Sequence, residues 1–201
     1  MENIVIRKGR PEDGRDFAKL SMLTASDYFS EIFGENAESI IENSYRYGNN
    51  IFSRQYSYFM EIDGKIAGMT SFYEHDEKNS GLLFFVMLLI RYMKFKFLLY
   101  IGRLLKVRKI FARTRKGDMY SAGSAMYPEF RGRGLGDRLF RLSELAARDR
   151  GLKRVVVDVK SDNIPALSLR KKIGYVIEEK LPAVKLNGKR FEYLKLVKNL
   201  N

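Results

Sequence analysis

Residues 127–140 read YPEFRGRGLGDRLF, with three glycines and three arginines inside the eight residues from Arg131 to Arg138. A β-rich run, Met119 to Met126, precedes them, and Leu135, Leu139, Leu142 and Ala146 follow on one face of a predicted helix. Strand, glycine loop and helix in that order set the unpaired N–H groups of the first helical turn, and the positive end of the helix dipole, beside the glycines. Glycine removes the Cβ that would hold a ligand away from the backbone. Arg131 and Arg133 add fixed positive charge in a forked form suited to phosphate oxygens. The stretch therefore predicts a cradle for a phosphate or pyrophosphate.

Two nucleotide-binding readings fail on particular residues. A Walker A loop ends in Gly-Lys followed by Ser or Thr, and this loop ends in Gly136-Asp137. A dinucleotide fingerprint needs a third glycine where Asp137 stands. Asp158 lies at a suitable distance for a ribose-binding acid, but too few βα units follow for a doubly wound sheet.

The sequence R-x-x-G-x-G, as Arg131-Gly132-Arg133-Gly134-Leu135-Gly136, resembles the acetyl-CoA pyrophosphate loop of the GNAT N-acetyltransferases. Asn163-x-x-Ala166-x-x-Leu169 followed by Lys172-Ile173-Gly174-Tyr175 resembles the second signature of that family, at the right distance from the first. The resemblance is specific from about Met119 to Lys180. It implies an α/β (α+β) fold with a central mixed, mostly antiparallel sheet, splayed between strands 4 and 5 and flanked by helices. It also implies that Ala125, Met126 and Tyr127 meet the pantetheine arm of acetyl-CoA through their backbone. Arg131, Gly132, Arg133, Gly134, Leu135 and Gly136 would take the pyrophosphate, with Asp137 at the helix entry. Asn163 would contact the arm from the other side. Arg170, Lys171 and Lys172 either reach the terminal phosphate or complement the C-terminal end of their helix.

The implied reaction is direct transfer of acetyl to an amine, which requires a base for the ammonium, a donor to the thioester carbonyl and a proton for the leaving thiolate. Many members carry a tyrosine just after the position of Leu169 as that last proton source; this chain has Arg170, which stays protonated. Tyr120, Ser121, Ser124, Asp118, Asp158 and Tyr175 are within reach of the signatures, and none is assigned a catalytic role from sequence. A second reading follows from that departure: a CoA-binding module acting as a membrane-surface or regulatory adaptor.

The rest of the chain agrees with one domain over 1–201. Asn3 to Arg7 read as a strand, Pro11, Glu12 and Asp13 as a helix start, and Ser26–Phe33 and Ala37–Tyr45 as helical stretches broken by Gly34. Two β-rich runs flank Asp63-Gly64, a hairpin signal. RVVVDV reads as a buried strand, a short helix capped by Ser161 or Asp162 follows, and YVIEEK and FEYLKLV read as two further strands. The chain has no cysteine, so no disulfide framework and no thiolate metal site, and its single histidine, His75, falls in a polar run expected to be a solvated loop. No metal is expected. The first ten residues, MENIVIRKGR, lack the apolar core of a signal peptide, and the expected location is cytoplasmic.

The net charge is +13, and ten Lys or Arg with no Asp or Glu lie between Arg91 and Lys116. LLFFVMLLI at 82–90 is continuously apolar, yet nine helical residues span ~14 Å, about half of a ~30 Å hydrocarbon core. Residues 98–111 pattern as a basic amphipathic helix. The segment at about 80–117 reads as a helical insertion before strand 4. Four roles stay open for it: a lid over the acceptor, contact with an anionic membrane surface that would make the protein peripheral to it, contact with nucleic acid or an acidic protein, and a homodimer interface. No nucleic-acid motif accompanies it. The acceptor itself, a small-molecule or peptide amine, has no spacing rule in the sequence.

Overall fold

The computed structural model describes residues 2–47, 50–75, 77, 82–94, 102, 107 and 114–200. The expected amphipathic helix at 98–111 lies outside the described residues apart from Gly102 and Val107.

In chain order the elements are β1 (Ile4–Lys8), α1 (Gly14–Phe33), α2 (Ala37–Arg46), β2 (Ser57–Ile62), β3 (Lys65–Glu74), α3 (Leu82–Met93) and β4 (Asp118–Met126). They continue with α4 (Leu135–Asp149), β5 (Arg154–Lys160), α5 (Ile164–Lys172), β6 (Val176–Lys180), β7 (Val184–Leu186), β8 (Lys189–Phe191) and β9 (Tyr193–Asn199). Seven strands form one sheet in the order β1-β2-β3-β4-β5-β9-β6, and β7 and β8 form a separate hairpin. Every pairing in the large sheet is antiparallel except β4 with β5. Asp63 and Gly64 turn the β2–β3 hairpin with φ of 49° and 77°, the left-handed pair that an Asp-Gly hairpin favours. Asn187 and Gly188 repeat the device between β7 and β8, with φ of 48° and 80°. The two strands expected after Gly174 are therefore four.

The parallel pair is short. It registers Asp118 with Arg154, Met119 with Val155 and Tyr120 with Val156, and goes no further. β4 nevertheless runs on along β3 to Met126, and β5 runs on along β9 to Lys160. The partner of β3 jumps from Ser121 to Gly123, so Ala122 is an extra residue that bends β4 away from its neighbour. The sheet thus opens between β4 and β5 immediately after Tyr120.

Helices cover both faces. Phe17, Leu20, Ile40, Ile41 and Tyr45 of α1 and α2 pack on Phe59 and Met69, and Leu89 and Met93 of α3 join the same cluster. On the other face Ala147, Leu167 and Ile173 lie against Val155, Val157 and Leu196. The start of α1 is fixed by charge. Both guanidinium nitrogens of Arg7 donate to the buried Asp13 carboxylate at 2.7 and 2.9 Å, and Arg7 Nε donates to Glu61 at 2.7 Å. Asp13 also accepts the backbone N–H of Arg10 at 2.6 Å. These bonds push the Arg7 pKa up, with Asp13 the largest cause. α1 runs through Ser26 without the separation expected there but kinks at Ala25, whose φ and ψ are −161° and 55°.

Three local expectations need correction. Asn163, not Ser161 or Asp162, caps α5, its Oδ1 accepting the Ala166 N–H at 3.2 Å. The sequence spacing also pairs Glu144 with Arg148 on the polar face of α4, but Glu144 is buried and pairs with Lys198 Nζ at 2.6 Å. His75 is half-buried, and its Nδ1 lies 2.8 Å from Thr114 Oγ1, which ties the end of β3 to the approach of β4.

Candidate functional site

The opening of the sheet leaves a cleft of about 640 Å³ bounded by the end of β4, the glycine loop, the first turns of α4 and one side of α5. Ser124, Ala125 and Met126 form its strand wall, and Arg131, Gly132, Gly134, Leu135, Gly136 and Asp137 its loop wall. Gly132 and Gly134 have φ of 78° and 71°, and a Cβ built on either meets nothing within 4 Å. Glycine is thus needed at both for conformation, and it leaves the backbone open to a ligand. No side chain caps the first turn of α4 among the described residues, so its leading N–H groups border the cleft uncapped. An anion placed there meets backbone donors, the positive helix end and no Cβ, so the residues present fit a pyrophosphate.

The other sequence-predicted residues divide. Lys172 lines the cleft, together with Pro165 and Leu169 from α5. Arg131 lines it with its Nε bonded to the Met126 carbonyl at 3.0 Å. Asp137 accepts from Arg141 Nε at 2.9 Å. Arg133 points outward to Glu2 at 2.9 Å. The Tyr127 hydroxyl donates to Asp16 of α1, and its backbone N–H donates to the Ala67 carbonyl at 2.9 Å. Asn163 lies on a separate, smaller cavity, and Arg170 is interior.

The smaller cavity, about 410 Å³, lies beneath the kink of α1, bounded by residues 23–28, the end of β5, the start of α5 and the β8–β9 region. Pro165, at the start of α5, borders both spaces. Lys160 and Asp162 on its wall are paired at 3.0 Å. Tyr28 and Tyr193 supply aromatic walls, with ring centroids 6.1 Å apart.

Asp158, two residues past the last β4–β5 pair and on the same strand face as Lys160, acts electrostatically on the wall residues Tyr28 and Tyr193. Tyr120 donates to Asp158 Oδ2 at 3.0 Å. Burial, then the neighbouring phenol and the Asp158 charge, push the Tyr28 pKa well up, while burial followed by Asp162, Asp158 and Asp27 raises Tyr193. Tyr120 is raised by burial and then by Asp158. Protonated phenols therefore surround one carboxylate. Asp158 and Tyr120 are visible as candidates in the sequence, but Tyr28 and Tyr193 are not: one sits in a long helix and the other in an edge of FEYLKLV, with no spacing to connect them.

Tyr120 and Ser121 bracket the point where the strands part, with side chains on opposite faces. On the face away from Asp158, Arg170 Nη2 donates to Ser121 Oγ at 3.4 Å. The guanidinium lies 4.0 Å from the Phe140 ring centroid and 5.0 Å from that of Tyr175. Burial pushes the Arg170 pKa down from its ordinary value and raises the Tyr175 phenol to about 12. Arg170 is 3% exposed, so it is not at the helix surface where a terminal phosphate would be met. Among the described residues no group of three or more His, Asp or Glu is placed to hold a metal ion.

The sequence profile of the acetyltransferase (GNAT) family matches residues 22–175. A stretch of 50 residues is 42% identical to a mycothiol acetyltransferase of Corynebacterium glutamicum (strain R), covering 25% of this chain and 17% of that protein. The fold is similar to an N-acetyltransferase from Staphylococcus aureus Mu50 at a TM-score of 0.64 and 20% identity, over 96% of this chain and 100% of that one. It is also similar to yncA of Salmonella typhimurium, described with its cofactor acetyl-CoA, at a TM-score of 0.62 and 15% identity, over 98% and 94% of the two chains.

Proposed function

The chain belongs to the acetyltransferase (GNAT) family, and we propose that it transfers acetyl directly from acetyl-CoA to the amine of a small-molecule or peptide acceptor. The observation that carries this reading is the pair of cavities that share Pro165 at the start of α5, the larger against the end of β4 and the smaller against the end of β5. Acetyl-CoA bound in the larger cleft supplies an activated thioester. Gly132, Gly134, Gly136 and the first turn of α4 would hold its pyrophosphate, Ala125 and Met126 its arm, and Lys172 its terminal phosphate. Arg131 acts from its bond to the Met126 carbonyl, stiffening the loop against the strand.

The acceptor enters the smaller cavity. Asp158 takes a proton from its ammonium group, so that the nitrogen lone pair is free to attack the thioester carbonyl. Tyr120 orients that carboxylate, and the raised phenols of Tyr28 and Tyr193 stay protonated around it.

Thermal unfolding with ligand tests the reading. At ~100 times its dissociation constant acetyl-CoA adds ~2.7 kcal/mol, a rise of roughly 5–10 °C in Tm for a chain of this size. No shift with either acetyl-CoA or CoA overturns the cleft assignment. Thiol release that does not depend on added amine overturns the transfer.

A further inference from the structure

We propose that Arg170 holds the negative charge that develops on the departing sulfur, doing by fixed charge what a proton donor would do by transfer. This rests on the acetyl-transfer reading above.

Three observations converge on that side chain. The first is an imbalance of charge. Arg170 is 3% exposed, and its Nη1 is buried with no hydrogen-bond partner. The titratable groups packed around it are Tyr175, Glu144 and, beyond the Tyr175 ring, Lys198. Glu144 is the one carboxylate among them, and its Oε2 is engaged by Lys198 at 2.6 Å. Among the described residues two cations thus share this one carboxylate, and the guanidinium rests on the Phe140 and Tyr175 rings and otherwise meets only neutral hydroxyls, Ser121 Oγ at 3.4 Å and the Tyr175 phenol. A buried charge left so poorly compensated is heavily penalised.

The second observation is place. Ser121, the hydroxyl it reaches, is the first residue of β4 beyond the last β4–β5 pair. Phe140 beneath it and Leu169 before it both line the cleft. The guanidinium therefore stands at the apex of the split, immediately behind the cleft wall. An arm laid along Ser124, Ala125 and Met126 carries its thioester toward that apex.

The third is chemistry. Arginine keeps its proton, so it cannot act as the acid. A preoriented cation in a water-poor site stabilises a developing anion without reorganising. Atoms and electrons balance across the step. Asp158 has removed one proton from the ammonium. The nitrogen lone pair forms the C–N bond, the C–S pair passes to sulfur, and the sulfur leaves as a thiolate paired with Arg170. The second nitrogen proton goes to water, and the thiolate takes a proton from water as CoA is released. Burial lowers the Arg170 pKa, and the nearby Tyr175 and Glu144 only partly offset it.

The test uses free CoA as probe and reads the ultraviolet absorbance of its thiolate as pH is raised. A free thiol ionises near ~8.5. Bound to the native protein, the CoA thiol is expected to ionise at least one pH unit lower, a tenfold change in its ionisation constant. Arg170→Met and Arg170→Gln abolish that shift, and Arg170→Lys keeps part of it. Arg170→Met fills the same slot against Phe140 and Tyr175 and removes the buried charge, so it folds at least as stably as the native chain. If CoA raises the Tm of the native protein but its thiol titrates as in free solution, this proposal fails while the acetyl-CoA reading stands. If Arg170→Met leaves the bound thiol's ionisation unchanged, Arg170 is structural and the proposal also fails. If CoA does not bind at all, both readings fall.

Discussion

Asp158 shows how much depends on two residues of strand. Val156 is the last residue of β5 paired with β4; two residues on, the Asp158 carboxylate accepts from the Tyr120 hydroxyl at 3.0 Å. Replacing it with Asn keeps the shape and an oxygen that can accept from Tyr120, but removes the proton acceptor. The expected result is a loss of about 10²–10⁴-fold in kcat at neutral pH, shrinking as pH rises and the acceptor amine deprotonates unaided. A pH–rate profile checks this; a loss equal at every pH would assign Asp158 a structural part only. Gly68 is a second residue with a large reach. It pairs with Met126 across β3 and β4, and a Cβ there would lie 2.6 Å from the Ala125 carbonyl oxygen and 2.9 Å from Met126 Cγ. Gly68→Ala must displace the strand wall of the cleft. It should destabilise the chain by about 1–3 kcal/mol in urea unfolding and reduce the Tm rise produced by acetyl-CoA. Neither role is legible from the residue alone. An aspartate in RVVVDV and a glycine in KIAGMT acquire their meaning from strands that lie far away in sequence.

The elements themselves are largely legible in the sequence, because their signals are local. Asp63-Gly64 fixes a hairpin, Pro11 to Asp13 a helix start, and the glycine loop followed by an apolar 3.6-residue period fixes α4. What local signals do not carry is pairing length. Nothing in DMYSAGSAM says that β4 and β5 part after three pairs; the small residues from Ser121 to Ala125 permit the bulge at Ala122 without dictating it. The β7–β8 hairpin escapes a sequence reading although Asn187-Gly188 is a strong turn pair, since each flanking run has only three residues and offers little alternation to read. Sequence sets the cap of α5 one or two residues early because Ser161, Asp162 and Asn163 are all good capping residues, and the choice among them is made by where Lys160 leaves the sheet. That cap offers a direct measurement. Asn163→Ala removes the bond to the Ala166 N–H and should lower stability by about 1 kcal/mol, a Tm fall of roughly 2–4 °C. Because Asn163 also lines the smaller cavity, KM for the acceptor should change more than KM for acetyl-CoA. Equal changes in both would place the effect on α5 as a whole, which borders both spaces.

At the scale of the molecule, the positive charge is concentrated in one stretch of the sequence. Ten basic residues fall between Arg91 and Lys116, while α3, just before most of them, buries Leu88, Leu89 and Met93 and exposes Met87 and Ile90. Among the described residues no helix is long and apolar enough to cross a membrane. The buried tyrosines have a measurable consequence. Tyr28, Tyr45, Tyr73, Tyr120, Tyr127, Tyr175 and Tyr193 all have pKa values above the ordinary phenol, and burial is the largest cause for each. An unfolded phenol loses its proton near ~10. Above that pH the unfolded chain holds fewer protons than the folded one, so stability must fall as pH rises. Stability is fully present below pH ~10 and is lost as pH climbs through the folded values, Tyr175 at about 12 among them. Ionisation of these seven of the chain's 12 tyrosines, read by phenolate absorbance, should therefore coincide with loss of the helical circular dichroism. A single smooth titration of all the phenols with the helices intact would mean that the tyrosine shell around Asp158 is open to water, and would remove the closed surroundings on which its part in acetyl transfer depends.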